Sequence, residues 1–158
     1  MASKSEMLQV VQSLYDLCQR GEWAQVEPLL TEDFYLTEAT GLPFAGVYRG
    51  RSALREVFGR VFTTLDVTGL DIHDITIGED HVVGVLDMVL AGKPQVRVAI
   101  TEVFRFRDGK VCEIRPHYFD TSAIVQRRRD ATPGNFESVS GTGAPLGPKG
   151  VTRDLSSD

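Results

Sequence analysis

Apolar residues return at helical spacing in the first twenty positions. Met7, Val10, Val11, Leu14, Leu17 and Cys18 share one face, with Tyr15 at its edge, Ser5 placed to cap the start and Gly21 to stop it. A second, short helix is predicted from Trp23 to Leu30, turning Trp23, Val26, Leu29 and Leu30 inward, although Pro28 falls beyond the first turn where a helix tolerates proline best. Phe34 to Glu38 favours extended backbone. Residues 39–48 carry Gly41, Pro43 and Gly46 and read as an irregular loop able to line or cover a cavity. A third helix is predicted from Ser52 to Phe62, with Leu54, Val57, Phe58 and Val61 inward.

Beyond it the period falls from helical spacing to alternation. Val67–Ile77, His81–Ala91, Gln95–Arg107 and Lys110–Phe119 are β-favouring runs with short connections, so an antiparallel meander is expected. Asp108-Gly109 is a strong hairpin signal between the last two. Apolar positions change parity between Ile72 and Ile75, which predicts a bulge near His73-Asp74. Pro116 has no N–H for a ladder, which predicts another bulge or an edge before His117. Helices first and a curved sheet second make an α+β roll, with three N-terminal helices packed on a mainly antiparallel sheet. Residues 1–130 read as one domain. The stretch 131–158, poor in large apolar residues and rich in Gly, Pro and Ser, reads as a disordered tail whose deletion from Pro133 would leave the melting temperature nearly unchanged.

The alternation exposes the first candidate chemistry. Val96, Val98, Ile100, Glu102, Phe104 and Phe106 share a face, so Glu102 is a lone carboxylate among apolar neighbours. Lost hydration raises the pKa of such a group and favours its neutral, hydrogen-bond-donating form. The bland alternative is an ion pair with Arg115 across the hairpin. Asp87 is weighed in the same way among Val83, Val85 and Val89. His117, near a strand end, is read as a proton shuttle or a locally bonded histidine, Asp120 as a cap for the turn Thr121 to Val125, and His73 and His81 as surface residues.

Composition narrows the classes. The chain of 158 residues is 42% hydrophobic with a formal net charge of -5, enough for a single core. Apart from Arg127-Arg128-Arg129, read as a solvated end of the fold, the cations are scattered, so no nucleic-acid partner is expected. Cys18 and Cys112 lack a paired spacing for zinc or thiol redox chemistry, no cofactor motif is present, and no membrane span or signal peptide is found. A cytoplasmic, cofactor-free protein without metal is the expectation. The second sheet face, taken to hold Ala99, Thr101, Val103, Val82, Leu86 and Leu90, is apolar enough to predict a homodimer.

The order of elements, Gly21-Glu22-Trp23, Glu32-Asp33, Tyr48-Arg49-Gly50-Arg51 and the Phe104-Arg105-Phe106, Asp108-Gly109-Lys110, Tyr118-Phe119-Asp120 hairpin resemble the nuclear-transport-factor-2-like superfamily. Within it, the SnoaL-like polyketide cyclases, steroid Δ-isomerases and limonene epoxide hydrolases are the most similar groups. The resemblance covers roughly residues 5 to 125, and it implies a cone-shaped roll and a dimer. It places Glu38, five residues after Asp33, where the isomerases carry their general base and the epoxide hydrolases a water-binding amide. Glu102 falls where the isomerases carry a protonated oxyanion-hole acid. Their oxyanion tyrosine falls at Leu14, a helical step of roughly 100° from Tyr15. Asp87 matches one catalytic aspartate of the epoxide hydrolases and His117 falls at the other, while their arginine is Val85 here. Asp120 resembles a recurrent aspartate at the end of the last strand.

The expected function is therefore acid–base chemistry on a hydrophobic, polyketide-like or polycyclic molecule: cyclisation, isomerisation or dehydration. Glu38, Asp87, Glu102 and His117 are the candidate catalytic residues, and Tyr15, Trp23, Phe104 and Tyr118 the candidate substrate contacts. Epoxide opening by Asp87 and His117 is the alternative enzyme reading, and a non-catalytic binding or assembly protein of the same fold is the other.

Overall fold

The computed structural model describes residues 2–130, and the predicted disordered tail lies outside them. Helix α1 (Lys4–Arg20) starts at Ser3, whose hydroxyl accepts from the Glu6 N–H while the Glu6 carboxylate accepts from Ser3 N–H. This capping box, rather than Ser5, sets the start. Gly21 ends the helix in the left-handed conformation, at φ 70°. Helix α2 (Trp23–Val26) is shorter than expected because Pro28 lies in a 3-10 turn, Glu27–Leu29, that leads directly into a strand.

Strand β1 (Leu30–Glu38) pairs with β2 (Gly46–Arg49), which forms inside the stretch read from sequence as irregular. Helix α3 (Ala53–Leu65) follows, then β3 (Val67–Ile77), β4 (His81–Leu90), β5 (Val96–Arg107) and β6 (Lys110–Tyr118). The sheet order is β2-β1-β6-β5-β4-β3, antiparallel at every junction except the parallel β1–β6 pair. The meander and the register shift between Ile72 and Asp74 are both present. Pro116 does not break β6. It pairs with Glu102, and the pairing of β6 with β1 stops at Ile114, so the proline lies where β6 has no listening neighbour on that side.

The helices cover the concave face. Cross-strand rows Val82–Phe104–Ile114, Gly84–Glu102–Pro116 and Leu86–Ile100–Tyr118 define it. Val82, Leu86 and Leu90 are therefore core residues, at most 1% exposed, and not part of the outer face to which the alternation was first assigned. Helix α4 (Ser122–Asp130) extends the turn expected after Asp120, whose carboxylate accepts from the Ser122 N–H at 2.8 Å. Ile124 of α4 is fully buried, and Arg127 donates to the Leu65 carbonyl at 3.0 Å. A cation there satisfies one of the free carbonyls at the end of α3, so Arg127 is a cap and not merely a solvated charge.

Candidate functional site

The concave face and the helices enclose a cavity of about 90 Å³. Its wall is apolar, built from Leu14, Leu36, Leu54, Val57, Met88 and Ile100 among others, and among the described residues no Lys, Arg or His lines it. Two carboxyls enter it: Glu38 from the end of β1 and Glu102 from the middle of β5. Strand alternation aims both inward, since Glu38 continues the row of Phe34 and Leu36 and Glu102 that of Ile100 and Phe104.

Each carboxyl is held by a tyrosine. Tyr15 Oη on α1 donates to Glu102 Oε2 at 2.8 Å, and Tyr118 Oη on β6 donates to Glu38 Oε2 at 2.9 Å. Phe104 meets the Tyr15 ring edge-on at 5.6 Å, and Phe44 of the 39–48 loop packs behind Tyr118 at 6.4 Å. Burial pushes the Glu38 pKa up to about 7; the Tyr118 hydrogen bond works against this and the Glu102 charge adds to it. Glu102 keeps some accessible surface because it lines the cavity, but protein surrounds it, and burial raises its pKa against the downward pull of the Tyr15 hydrogen bond. Burial also pushes both tyrosines far up, so they stay neutral donors. Cys18, on the same wall, is pushed up to about 12 by burial and then by the Glu102 charge, and remains a thiol.

Four of the residues singled out from sequence do not converge with these. Asp87 pairs with Ala99 on β5 and therefore points out of the convex face. Burial opposes its charge, but hydrogen bonds from Arg97 (2.9 Å) and His73 (3.1 Å) prevail and hold its pKa below the usual range. Arg97 also bonds Asp71, which lies directly opposite Asp87, so one guanidinium relieves the repulsion of two carboxylates. His73 is exposed, as read from the sequence, with its Nε2 beside the Asp87 carboxylate. His117, next to the inward Pro116, is exposed on the convex face opposite Thr101. Trp23 stands behind the wall, its ring edge-on to Phe58 at 5.4 Å. Arg115 is on the convex face too, 2.6 Å from Glu113, and offers Glu102 no ion pair.

The site also contains residues that alternation and resemblance passed over. Phe58 and Phe62, one turn apart on α3, stack at 4.1 Å with planes 19° apart; both line the cavity and are half-buried. Gly84 lies opposite Glu102, and no sequence period marks it. Among the described residues, no three His, Cys, Asp or Glu side chains gather to hold a metal, and no helix is long and apolar enough to cross a membrane.

No curated protein matches the chain. Solved structures of the same fold include Bal32a from a soil-derived mobile gene cassette, at TM-score 0.71 and 22% identity, covering 80% of this chain and 98% of that one. An NTF2-like protein from Burkholderia xenovorans LB400 aligns at TM-score 0.65 and 20% identity, covering 80% and 98%. TerC, co-crystallised with polyporic acid, aligns at TM-score 0.68 and 16% identity, covering 78% and 98%. The model of the SnoaL-like domain matches residues 11–114, the span from the middle of α1 to the middle of β6. With that match over more than half of its length, the chain belongs to the SnoaL-like domain family, and its roll has the fold of NTF2-like proteins.

Proposed function

We propose that the protein is a cofactor-free acid–base enzyme that moves a proton on an uncharged, hydrophobic molecule bearing a carbonyl or hydroxyl oxygen. The observation that carries this reading is the pairing of two tyrosine-held carboxyls in one apolar cavity with no cation in its wall. Glu38, titrating near 7, is poised to take and return a proton at neutral pH. Glu102, whose burial favours the neutral form, donates to the oxygen on which negative charge develops, and Tyr15 holds it in place. Tyr15, Phe104 and Tyr118 contact the substrate. A carboxylate ligand is disfavoured, because nothing in the wall would balance its charge.

Isomerisation, aldol-type cyclisation and dehydration share this proton logic. Epoxide opening by Asp87 and His117 loses its support, since both stand on the convex face, away from the cavity. At about 90 Å³ the cavity is smaller than the roughly 150 Å³ void known to hold benzene. A polycyclic substrate therefore requires the cavity to widen.

Proton transfer at carbon is testable without the natural substrate. Incubated in D2O with small cyclic ketones and followed by proton NMR, the protein is expected to exchange the protons next to the carbonyl faster than buffer does. Saturation-transfer contact with the ketones but no exchange would instead mark a binding protein without turnover.

A homodimer through the convex face belongs to the same reading. Val83, Val85, Ala99, Thr101 and Val103 share that face, Val85 is 39% exposed, and Phe119, whose N–H donates to the Ala99 carbonyl, is 91% exposed. Sedimentation at micromolar concentration is expected to give a dimer that Val85→Arg splits; a soluble wild-type monomer would count against it.

A further inference from the structure

Glycine in the middle of a strand weakens it, and Gly84 sits in the middle of β4, between Ile75 on β3 and Glu102 on β5. Its backbone does not require glycine, for it is not among the residues of positive φ. The space above it does. A Cβ built on Gly84 would lie 2.2 Å from Tyr15 Oη, 3.1 Å from Cζ and 3.4 Å from Cε2. The Tyr15 hydroxyl is held to Glu102 at 2.8 Å, its ring is buried and Phe104 packs edge-on with it, so a Cβ at 84 forces that hydroxyl to shift.

We propose that Gly84 is a positioning residue for the Tyr15–Glu102 pair: its missing side chain is the slot that lets a helix tyrosine lie flat on the sheet and reach the cavity's acid. The consequence for turnover rests on the function proposed above, but the positioning does not. Any side chain at 84 displaces the hydroxyl, and Glu102 then loses the one hydrogen bond that favours its charged form.

The test is a double-mutant cycle on the full chain, read by denaturant unfolding and by carboxyl-carbon NMR titration of Glu102. Gly84→Ala is expected to raise the unfolding equilibrium constant about five- to a hundred-fold, the range for overpacking, and to move the Glu102 midpoint upward, as Tyr15→Phe alone does. In the Tyr15→Phe background, Gly84→Ala is expected to cost much less and to leave Glu102 where Tyr15→Phe put it. Equal costs in the two backgrounds, or a wild-type Glu102 midpoint in Gly84→Ala, would overturn the proposal. If Gly84→Ala does not fold, rescue by Tyr15→Phe supports it, and an unfolded double variant refutes it. None of these readouts needs turnover, so failure of the ketone exchange assay leaves this result standing on its own.

Discussion

Glu38→Gln is expected to lower proton transfer by about 10²–10⁴-fold, the range for a positioned general base, and to stabilise the protein at pH 8. The second effect follows from the direction of the pKa shift. Burial pushes Glu38 up to about 7 in the folded protein from the ordinary value of 4.5, so the native state holds this proton more tightly than the unfolded chain does. The stability it contributes is complete below about pH 4.5 and is lost as the pH rises through 7, a swing of roughly 3 kcal/mol. Glutamine keeps an acceptor for Tyr118 and removes the titration. Thermal unfolding of the wild type should therefore weaken from pH 5 to pH 8, with a flatter profile in Glu38→Gln. Identical profiles would mean that Glu38 is not buried as a neutral acid.

Glu102→Leu is expected to reduce kcat by about 10²–10³-fold, the loss typical of one oxyanion donor, with little change in stability. Leucine removes a buried carboxyl, which is favourable, but strands the Tyr15 hydroxyl, which costs about 1–3 kcal/mol. Glu102→Gln keeps both an acceptor for Tyr15 and a donor, so its activity should fall less. A structural ion pair would behave differently: losing one partner of a buried pair costs about 3–5 kcal/mol. Arg115 is already bound to Glu113, so no such cost is expected, and urea unfolding of the two variants distinguishes the cases.

Glu102 lines the cavity while Asp87 stands on the opposite face, although both are carboxylates among apolar strand neighbours. A carboxylate among apolar neighbours signals a buried site only when its face is the buried one. In β4 the run Val82-Val83-Gly84-Val85-Leu86 is apolar at both parities, so alternation cannot say which side meets the helices. That is settled by register with β5, where Asp87 meets Ala99 and Gly84 meets Glu102. In β5 the outward positions include Arg97, Arg105 and Arg107, and the face is legible at once. The roll, the meander and the bulge at Ile72–Asp74 were readable for the same reason: each leaves a period or a break in the pattern.

Other features were written locally and overlooked. Ser3-Lys4-Ser5-Glu6 spells a capping box that points to Ser3, not Ser5. Strand β2, four residues long beside Gly46, is too short to show alternation. Helix α4 carries few apolar residues, and its anchoring by Ile124 and Arg127 exists only once Leu65 is beside it in space. The tyrosine pairs are long-range as well: 87 residues separate Tyr15 from Glu102, and 80 separate Glu38 from Tyr118. Only the fold brings them together.

The proposed mechanism stands on two carboxyls held away from their ordinary ionisation, and their titration can be followed one by one. Carboxyl-carbon NMR of the wild-type protein, with Glu38 and Glu102 assigned by substitution, is expected to give Glu38 a midpoint near 7 and Glu102 a midpoint above the ordinary value of 4.5. Midpoints for both at or below 4.5 would mean two solvated or paired carboxylates, and would contradict the acid–base mechanism.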